Sequence, residues 1–215
     1  MEYYSLPIKP ISIKGNWDLG WVLDKHSIEY KSRNSFGQKE CDTLRSELGQ
    51  AIYSFKYGKS ESRFLQIEPI SHTFAEFISN REELNEIDAI LYAPSTNTKR
   101  KHNPIELIAR KVGALLELPV PTDYLLKIKE TAEMKVLNDL DTKKLNLEDA
   151  FKMADLRFKN KQLLLLDDII DSGVTLNSIV TELRSKGKVD KVFVLVGTYT
   201  DLFMEAIKKN EEKNS

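Results

Sequence analysis

The chain has 215 residues, of which 41% are hydrophobic and 30% are charged, so it can bury a core and is not a disordered chain. Its 32 basic and 33 acidic side chains leave a formal net charge of -1, which gives no support for a nucleic-acid or membrane partner and means that any anion site must be local. The one cysteine, Cys41, excludes a disulfide framework and a multi-cysteine zinc site. The sequence has neither a signal-like N-terminal run nor a stretch of roughly 20 apolar residues, which predicts a cytoplasmic protein.

Two patterns near the N-terminus predict short elements. Residues 11–14 and 21–28 are apolar runs separated by turn residues, which is typical of a β-hairpin. Residues 43–57 carry apolar side chains at spacings of three and four, which predicts a helix. We therefore expect two units: residues 1–60, a hairpin or hood with the first helix, and residues 61–215, the core.

From residue 87 onward, apolar runs typical of strands alternate with helical patterns. The run LLLL at residues 163–166 is typical of a strand that is buried on both faces. The alternation predicts an α/β fold, with a mainly parallel sheet that is flanked by helices and connected by right-handed crossovers. The predicted strands lie within residues 87–93, 120–128, 161–166 and 191–196, and the predicted helices cover residues 71–85, 104–117, 147–155, 175–186 and 202–209.

The segment LLLLDDIIDSGVTLNSIVTEL, residues 163–183, carries the chemistry. Its apolar strand is followed by two adjacent carboxylates, Asp167 and Asp168, then by a tight turn over residues 171–175 and a helix. In open parallel sheets, ligands bind beyond the carboxyl ends of the strands. The order of these parts therefore predicts a ligand site at the end of this strand.

The turn has the chemistry of a phosphate cradle. The start of a helix presents several backbone N–H groups and a positive dipole end. Gly173 lets the backbone approach an anion closely, and Ser172 and Thr175 add hydroxyl donors. Ionised carboxylates repel a phosphate and only accept hydrogen bonds, so Asp167 and Asp168 suit the vicinal hydroxyls of a sugar. A ligand with a ribose diol and a 5'-phosphate fits the whole segment.

Other interpretations of the segment exist. A strand that ends in aspartates before a Ser-Gly-x-Thr turn is also compatible with a plain helix N-cap. A P-loop is excluded because no Lys follows the glycine in the GK[ST] position, and a dinucleotide-binding turn is excluded because G-x-G-x-x-G is missing. The helix-cap interpretation stays open at this point.

The string DDIIDSGVT resembles the 5-phosphoribosyl-1-diphosphate (PRPP) signature of type I phosphoribosyltransferases, which has an apolar strand, two acidic residues and a D-T/S-G-x-T loop. The resemblance implies that Asp167 and Asp168 bind the ribose hydroxyls. It implies from the purine-salvage branch that Asp171 is a candidate general base, and hence a candidate catalytic residue. It also implies that the turn holds the 5'-phosphate; its residues are Asp171, Ser172, Gly173, Val174 and Thr175.

The resemblance extends upstream, to the ComF-type competence-protein branch of that superfamily. The text YAPSTNTKRKHNPIELIA resembles the branch's basic R-G-F-N-Q-x-E-L-x-A segment, with Lys101, His102 and Pro104 departing from it. The text SFKYGKS resembles the branch's L-K-Y-R-G-like helix end. The branch's four-cysteine zinc ribbon has no counterpart in this sequence, and the predicted hairpin takes its place. The matching residues are Pro94, Arg100, Asn103, Glu106, Leu107 and Ala109, with Phe55, Lys56, Tyr57 and Gly58 at the helix end.

Five basic side chains around the start of the predicted helix at residue 104 accompany one acid, Glu106. This predicts a local positive field suited to a diphosphate, and a solvated basic helix start is the alternative. The five are Lys99, Arg100, Lys101, Arg110 and Lys111. In the superfamily a loop at this position contacts the pyrophosphate, which implies that role for Ser95, Thr96, Asn97 and Arg100.

The polar stretch over residues 129–146 is long for a structureless connection, and loops of that length are commonly functional. In type I phosphoribosyltransferases a flexible loop here closes over the site, which implies that Lys135, Lys143 and Lys144 reach the diphosphate. Closure would exclude water from PRPP. A surface loop with no role is the alternative.

The resemblance implies displacement at the anomeric carbon of PRPP by an unknown nitrogenous acceptor, with release of pyrophosphate. Mg²⁺ held by the diphosphate, ribose hydroxyls and waters would offset the charge on the leaving group, and Asp167 and Asp168 would support the metal indirectly. The alternative is a non-catalytic PRPP- or nucleotide-sensing or partner-binding protein, related to competence or nucleic-acid processes. The predicted hairpin would form a hood over the site or a dimer contact, which leaves a homodimer open.

Overall fold

The computed structural model describes residues 4–31, 42–95, 103–129, 147 and 150–213. A five-stranded sheet lies at its centre, in the order β1-β2-β9-β8-β5. All neighbouring strands in this sheet are parallel except β1, which is antiparallel to β2. The strands are β1 (Ile11–Ser12), β2 (Leu19–Lys25), β3 (Ser27–Lys31), β4 (Asp42–Arg45), β5 (Ala89–Tyr92), β6 (Leu125–Lys127), β7 (Phe151–Met153), β8 (Gln162–Ile170) and β9 (Lys191–Tyr199).

Helices cover both faces of this sheet, as the strand–helix alternation predicts. The helices are α1 (Glu47–Tyr57), α2 (Ile67–Ser79), α3 (Pro104–Leu116), α4 (Val174–Ser185) and α5 (Asp201–Lys213), with 3-10 turns at Glu61–Gln66 and Glu82–Leu84. The predicted α/β class with a mainly parallel sheet is therefore confirmed by the strand pairing itself.

The four consecutive leucines of β8 show why the sheet forms. Leu163 to Leu166 are all fully buried, since successive side chains point to opposite faces and each face has its own core. Leu163 and Leu165 pack in the core shared with α4, and Leu164 and Leu166 in the core shared with α1, α2 and α3. An apolar run buried in this way fixes β8 in the middle of the molecule.

The N-terminal hairpin forms as predicted, from β1 and β2, but it is not separate from the core sheet. Residues Leu19 to Lys25 of β2 pair in parallel with β9, and Val22 and Leu23 are fully buried. Trp17 and Trp21 are buried, so these two indoles serve core packing. The division of the chain at residue 60 into two domains stays a prediction.

Two predicted elements are wrong in part. Residues 43–45, predicted as the start of the first helix, form β4, and the helix begins only after Ser46. Within residues 147–155, predicted as a helix, Phe151–Met153 form β7, which pairs antiparallel with β6. The apolar side chains of both segments fit a helical period, but the pairing with a neighbouring strand decides the outcome.

Among the helices that the structure describes, none combines the length and the apolar character that crossing a membrane requires.

Candidate active site

The carboxyl ends of three parallel strands meet at one edge of the sheet. Tyr199 of β9 pairs with Lys25 of β2 on one side and with Ile170 of β8 on the other. The same edge therefore holds the residues that follow these strands, which are His26, Thr200 and Asp171. Ligands bind at this edge in sheets of this kind.

The two predicted ribose-binding acids lie within β8, not beyond it. The strand extends to Ile170, four residues past the end predicted from the leucine run. Because side chains alternate along a strand, Asp167 and Asp168 point to opposite faces. The pair therefore consists of two carboxylates in different surroundings, and each has its own partners.

Asp168 faces α1 and forms an ion pair with Lys56 at the end of that helix. The Lys56 ammonium lies 3.0 Å from Oδ1 and 2.9 Å from Oδ2 of Asp168, and only 15% and 11% of the two side chains are exposed. Burial alone would lower the pKa of Lys56, but the charge and the hydrogen bond of Asp168 outweigh burial and raise it. The Lys56 ammonium is therefore charged at neutral pH.

Helix α1 is held at both ends against this edge of the sheet. At its start, Ser46 caps the helix by accepting a hydrogen bond from Gly49 N at 3.0 Å, and its hydroxyl donates to the main-chain oxygen of Lys25 at 2.6 Å. At its last turn, Lys56 reaches Asp168. The position of Asp168 thus depends on a helix that begins against the end of β2.

Asp167 is half-buried, and its Oδ1 accepts the main-chain N–H of Asp168 at 2.9 Å. Burial and, next to it, the negative charge of Asp168 raise the pKa of Asp167, although Lys56 and this hydrogen bond act in the opposite direction. An ionised Asp167 is therefore costly in the unliganded protein. A ligand that offers hydroxyl donors or a nearby cation would relieve that cost.

The predicted phosphate turn has the required backbone. Gly173 has φ of +72°, in the left-handed region that favours glycine, and it is the residue that precedes α4. Within the described residues, no side chain caps the start of α4, so its first N–H groups are not used by a capping group. Ser172 and Thr175 are half-buried, whereas Val174 is in the core and can offer only its backbone N–H to a ligand.

Asn177, one turn into α4, fixes the carbonyl of Gly173. Its N–H and its Nδ2 both donate to the Gly173 oxygen, at 2.9 and 3.0 Å. Its Oδ1 accepts from Asn16 N at 2.7 Å, which ties the turn to the loop between β1 and β2. These bonds hold the carbonyl in place without using the N–H groups at the start of the helix.

A cavity of about 260 Å³ opens next to the turn. Its wall is formed by residues of β3, β4, α1 and β8 and by the residues that directly follow β2, β8 and β9. Six of the lining residues are His26, Arg45, Tyr53, Tyr57, Asp171 and Thr200. Asp171 therefore lies between the start of α4 and an open space large enough for a small molecule.

His26 lines this cavity and is held by β9. Its Nδ1 lies 3.0 Å from Thr198 Oγ1, and that hydroxyl donates to the main-chain oxygen of Asp168 at 3.3 Å. Since the hydroxyl proton is used there, the imidazole is assigned as the donor at Nδ1, with Nε2 as an acceptor. Burial, with the positive charges of Arg45 and Lys56, lowers the pKa of His26 to about 4, so the ring is neutral at physiological pH.

The predicted pyrophosphate segment is described only at its start. Ser95 is half-buried and follows β5, which pairs in parallel with β8, so Ser95 comes out at the same edge as Asp167. Asn103, at the start of α3, donates from Nδ2 to Ala93 O at 3.2 Å and ties the helix to the end of β5. Thr96, Asn97 and Arg100 lie outside the described residues, as do Lys135, Lys143 and Lys144 of the predicted flexible loop.

Two of the five basic residues predicted to form a positive field are engaged elsewhere. Arg110 binds Glu106 one turn before it, with Nε and Nη2 at 3.0 and 2.9 Å from Oε1. Lys111 binds Glu68 of α2 at 2.8 Å. These two cations serve ion pairs on the helical layer, which corrects the prediction that they face a diphosphate. The other three lie outside the described residues.

The donor set at this edge fits only an indirectly held metal ion. Among the described residues, no three His, Cys, Asp or Glu side chains come together as a metal site. Asp168 is engaged by Lys56, and one oxygen of Asp167 accepts the main-chain N–H of Asp168, so a divalent cation at these two acids would need oxygens of a ligand and water for most of its coordination. That Asp167 and Asp168 support Mg²⁺ through ribose and water stays a prediction.

Five residues of this edge were not predicted as site residues: His26, Arg45, Tyr53, Lys56 and Tyr57. Lys56 and Tyr57 had a signal, since they lie in the helix end SFKYGKS that resembles the ComF-type branch. The other three have no local motif. His26 comes to the site through the pairing of β2 with β9, Arg45 through the pairing of β3 with β4, and Tyr53 through the position of α1; the sequence shows none of these.

Comparison with known proteins gives two kinds of similarity. No family model matches the chain. Competence protein F of Haemophilus influenzae (strain ATCC 51907 / DSM 11121 / KW20 / Rd) is 30% identical over 91 residues, which span 41% of this chain and 39% of that protein. The predicted resemblance to ComF-type proteins is thus confirmed as a sequence similarity, over less than half of the length of either protein.

Several solved structures resemble the chain at low sequence identity, and adenine and orotate phosphoribosyltransferases are among them. Adenine phosphoribosyl transferase from Trypanosoma brucei, in complex with AMP, pyrophosphate and ribose-5-phosphate, has a TM-score of 0.48 at 13% identity and covers 91% of this chain and 88% of that chain. Orotate phosphoribosyltransferase from Francisella tularensis has a TM-score of 0.39 at 14% identity, covering 86% and 84%. UMP synthase from Leishmania donovani has a TM-score of 0.42 at 13% identity, covering 86% and 32%.

Proposed function

We propose that this protein binds PRPP at the end of β8 and transfers its phosphoribosyl group to a nitrogenous acceptor, releasing pyrophosphate. One observation carries the proposal: an acidic pair, a left-handed glycine and an uncapped helix start follow one another within eight residues at the carboxyl edge of a parallel sheet. A plain helix N-cap would account for the turn. It would not account for two adjacent acids before it, one buried and one half-buried, of which Asp167 has a pKa raised by burial and by the charge of its neighbour.

Each part of this edge has a role in that reaction. The first N–H groups of α4, with the hydroxyls of Ser172 and Thr175, would bind the 5'-phosphate. Asp167 and Asp168 would accept hydrogen bonds from the 2'- and 3'-hydroxyls, with Lys56 holding Asp168 in its orientation. The protein's contribution is therefore mainly positioning and electrostatic stabilisation.

The transfer step balances without any further reactant. The lone pair of the acceptor nitrogen forms a bond to the anomeric carbon, and the bond from that carbon to the diphosphate oxygen breaks, with its electron pair leaving on pyrophosphate. A proton on the acceptor nitrogen would pass to the carboxylate of Asp171, which lines the cavity, and then to solvent. Mg²⁺, bound chiefly by the diphosphate, would supply charge neutralisation.

Binding of PRPP is the first test. PRPP with Mg²⁺ at about 100 times its Kd is expected to stabilise the protein by about 2.7 kcal/mol, seen as a rise in melting temperature. Asp167→Asn/Asp168→Asn should abolish the rise. Asp123→Asn/Asp155→Asn is a matched control, because these two aspartates bind Arg157 in an exposed cluster elsewhere. An undiminished rise in the first double variant would contradict the assignment.

Turnover is the second test. Release of pyrophosphate from PRPP, screened over heterocyclic bases and amines, separates a transferase from a sensor that binds PRPP without turnover. Asp171→Asn should then lower the rate while the PRPP-induced rise in melting temperature persists. A PRPP-binding protein that releases no pyrophosphate with any acceptor would favour the sensing or partner-binding alternative. The cytoplasmic location and a homodimer stay predictions.

A further inference from the structure

The cavity beside Asp171 is lined by a cation, Arg45, that has no ion-pair partner among the described residues. The Arg45 guanidinium lies 3.7 Å from the centre of the Tyr53 ring, and its Nη1 donates to Thr43 O at 3.3 Å. Its Nε is buried and has no hydrogen-bond partner, and no ion pair to Arg45 is found among the described residues. A planar, fork-shaped donor in this state is suited to a carboxylate.

Two aromatic rings from α1 form one wall of the same cavity. The centres of the Tyr53 and Tyr57 rings are 5.1 Å apart, and the planes are tilted by 43°. The residues are 37% and 45% exposed, which is high for rings of this size next to a buried ion pair. Each ring presents an apolar face of its own, and a ligand that stacks on an exposed face must be planar.

Hydrogen-bonding groups of both kinds complete the wall. Thr200 Oγ1 is buried and has no hydrogen-bond partner, so it can serve a ligand as donor or acceptor. The neutral imidazole of His26 has its acceptor nitrogen at Nε2, because Nδ1 donates to Thr198. The cavity therefore combines a cation, a flat face, a hydroxyl and a ring acceptor in about 260 Å³, a volume that suits one small ring system rather than a large ligand.

We propose that this cavity is the acceptor site and that it takes a planar heterocyclic carboxylate, with Arg45 binding the carboxylate and Tyr53 and Tyr57 lying along the ring. The inference rests on the proposed function, because Asp171 lies in the wall of the cavity and would face both the acceptor and the sugar phosphate. An uncharged base would leave the guanidinium without an anion, whereas a carboxylate forms with it a charge-assisted, bidentate pair.

Binding measurements with four probes test the inference. Nicotinate and orotate are planar heterocyclic carboxylates, and nicotinamide and uracil are their counterparts without the carboxylate. Affinities are measured by calorimetry on the full chain saturated with ribose 5-phosphate. At least one carboxylate should bind about tenfold or more tightly than its counterpart, which is the effect of one charge-assisted hydrogen bond.

Variants of Arg45 connect the affinity to this cavity. Arg45→Gln should weaken carboxylate binding about tenfold or more and leave the uncharged probes unchanged, and Arg45→Lys should retain part of the preference. Arg81→Gln is the matched control, since Arg81 also lies over an aromatic ring, Phe77 at 4.6 Å, but beside a different pocket. Melting temperatures without ligand verify that each variant is folded.

The outcomes separate this inference from the proposed function. If PRPP stabilises the protein but neither carboxylate is preferred, or the preference survives Arg45→Gln, the acceptor class is wrong and the proposed function stands. If PRPP fails to stabilise the protein, the proposed function fails, and any carboxylate binding would belong to a site of another kind. A preference lost with Arg45→Gln and kept with Arg81→Gln, in a protein that PRPP stabilises, supports both.

Discussion

Lys56 and Asp168 form a buried ion pair that joins the last turn of α1 to the end of β8, with both carboxylate oxygens within 3.0 Å of the ammonium. The lysine lies in a helix-end motif, and the aspartate lies in the segment that resembles the PRPP signature. Two motifs that are 112 residues apart in sequence are therefore parts of one site.

Breaking this pair should destabilise the protein. Lys56→Met leaves the Asp168 carboxylate buried without its cation, and we expect a loss of about 3 kcal/mol in the free energy of unfolding, measured by urea denaturation. Lys161→Met is the control, because its pair with Asp88 is exposed and should contribute less than about 1 kcal/mol. Adding Asp168→Asn to Lys56→Met should restore most of the loss. Equal urea midpoints for the two single variants would show that the buried pair contributes no more to stability than the exposed pair.

Asp167→Asn should stabilise the unliganded protein at neutral and higher pH. The pKa of Asp167 is raised in the folded state, to about 8, so the wild-type protein loses stability as the pH rises from about 4 through that value. An asparagine has no such penalty. The difference in melting temperature between variant and wild type should therefore be near zero at pH 4 and grow toward pH 8, while the response to PRPP weakens. A variant that is less stable than the wild type at pH 8 would contradict this.

His26 should make the protein less stable in mild acid. Its pKa is lowered to about 4 in the folded state, so its contribution to stability is present above the unfolded value of about 6.5 and is lost as the pH falls through about 4. His26→Gln should flatten the stability profile between pH 6.5 and 4. An NMR titration of the His26 ring protons measures the pKa directly, and a midpoint near 6.5 would rule out the buried, neutral state.

Gly173→Ala tests the backbone of the phosphate turn. A methyl group at this position would meet its nearest neighbours at 3.5 to 3.8 Å, so space is available and the cost comes from φ of +72°. We expect a loss of about 1 to 2 kcal/mol in thermal unfolding and weaker binding of ribose 5-phosphate. Gly173→Asn should be milder, because asparagine tolerates the left-handed region. An alanine variant as stable as the wild type would mean that the turn adopts another conformation.

Gly197→Ala is expected to affect the site through the main chain of Asp168, which lies next to Gly197. A methyl group on this residue of β9 would come within 2.7 Å of Ile52 Cδ1 and 2.9 Å of the main-chain oxygen of Asp168. The side chain of Ile52 can move, but the carbonyl can move only with β8. We expect a loss of about 1 to 3 kcal/mol and weaker PRPP binding. Ile52→Val/Gly197→Ala removes only the side-chain contact, so a full recovery in that double variant would contradict a role for the carbonyl.

The parts of the site that could be predicted from the sequence are those that are contiguous in it. The apolar strand, the two acids, the glycine turn and the helix follow one another within residues 163–183, and local patterns suffice for them except for the end of the strand, which lies at Ile170. Arg45 and His26 were missed because they reach the cavity through strand pairing, which depends on residues far away in the sequence. Residues 43–45 show the same limit: Leu44 fits the helical period of Leu48 and Ile52, yet it lies on β4 and is 53% exposed.

The order of strands in the sheet sets a condition on biosynthesis. Leu19 of β2 pairs with Phe193 of β9, 174 positions later in the chain. A ribosome that adds about 5 to 20 residues per second needs about 10 to 35 s between making these two partners. During that interval β2 lacks its neighbouring strand β9, and its apolar residues stay exposed along that edge. The nascent chain is therefore expected to rely on chaperones until β9 emerges.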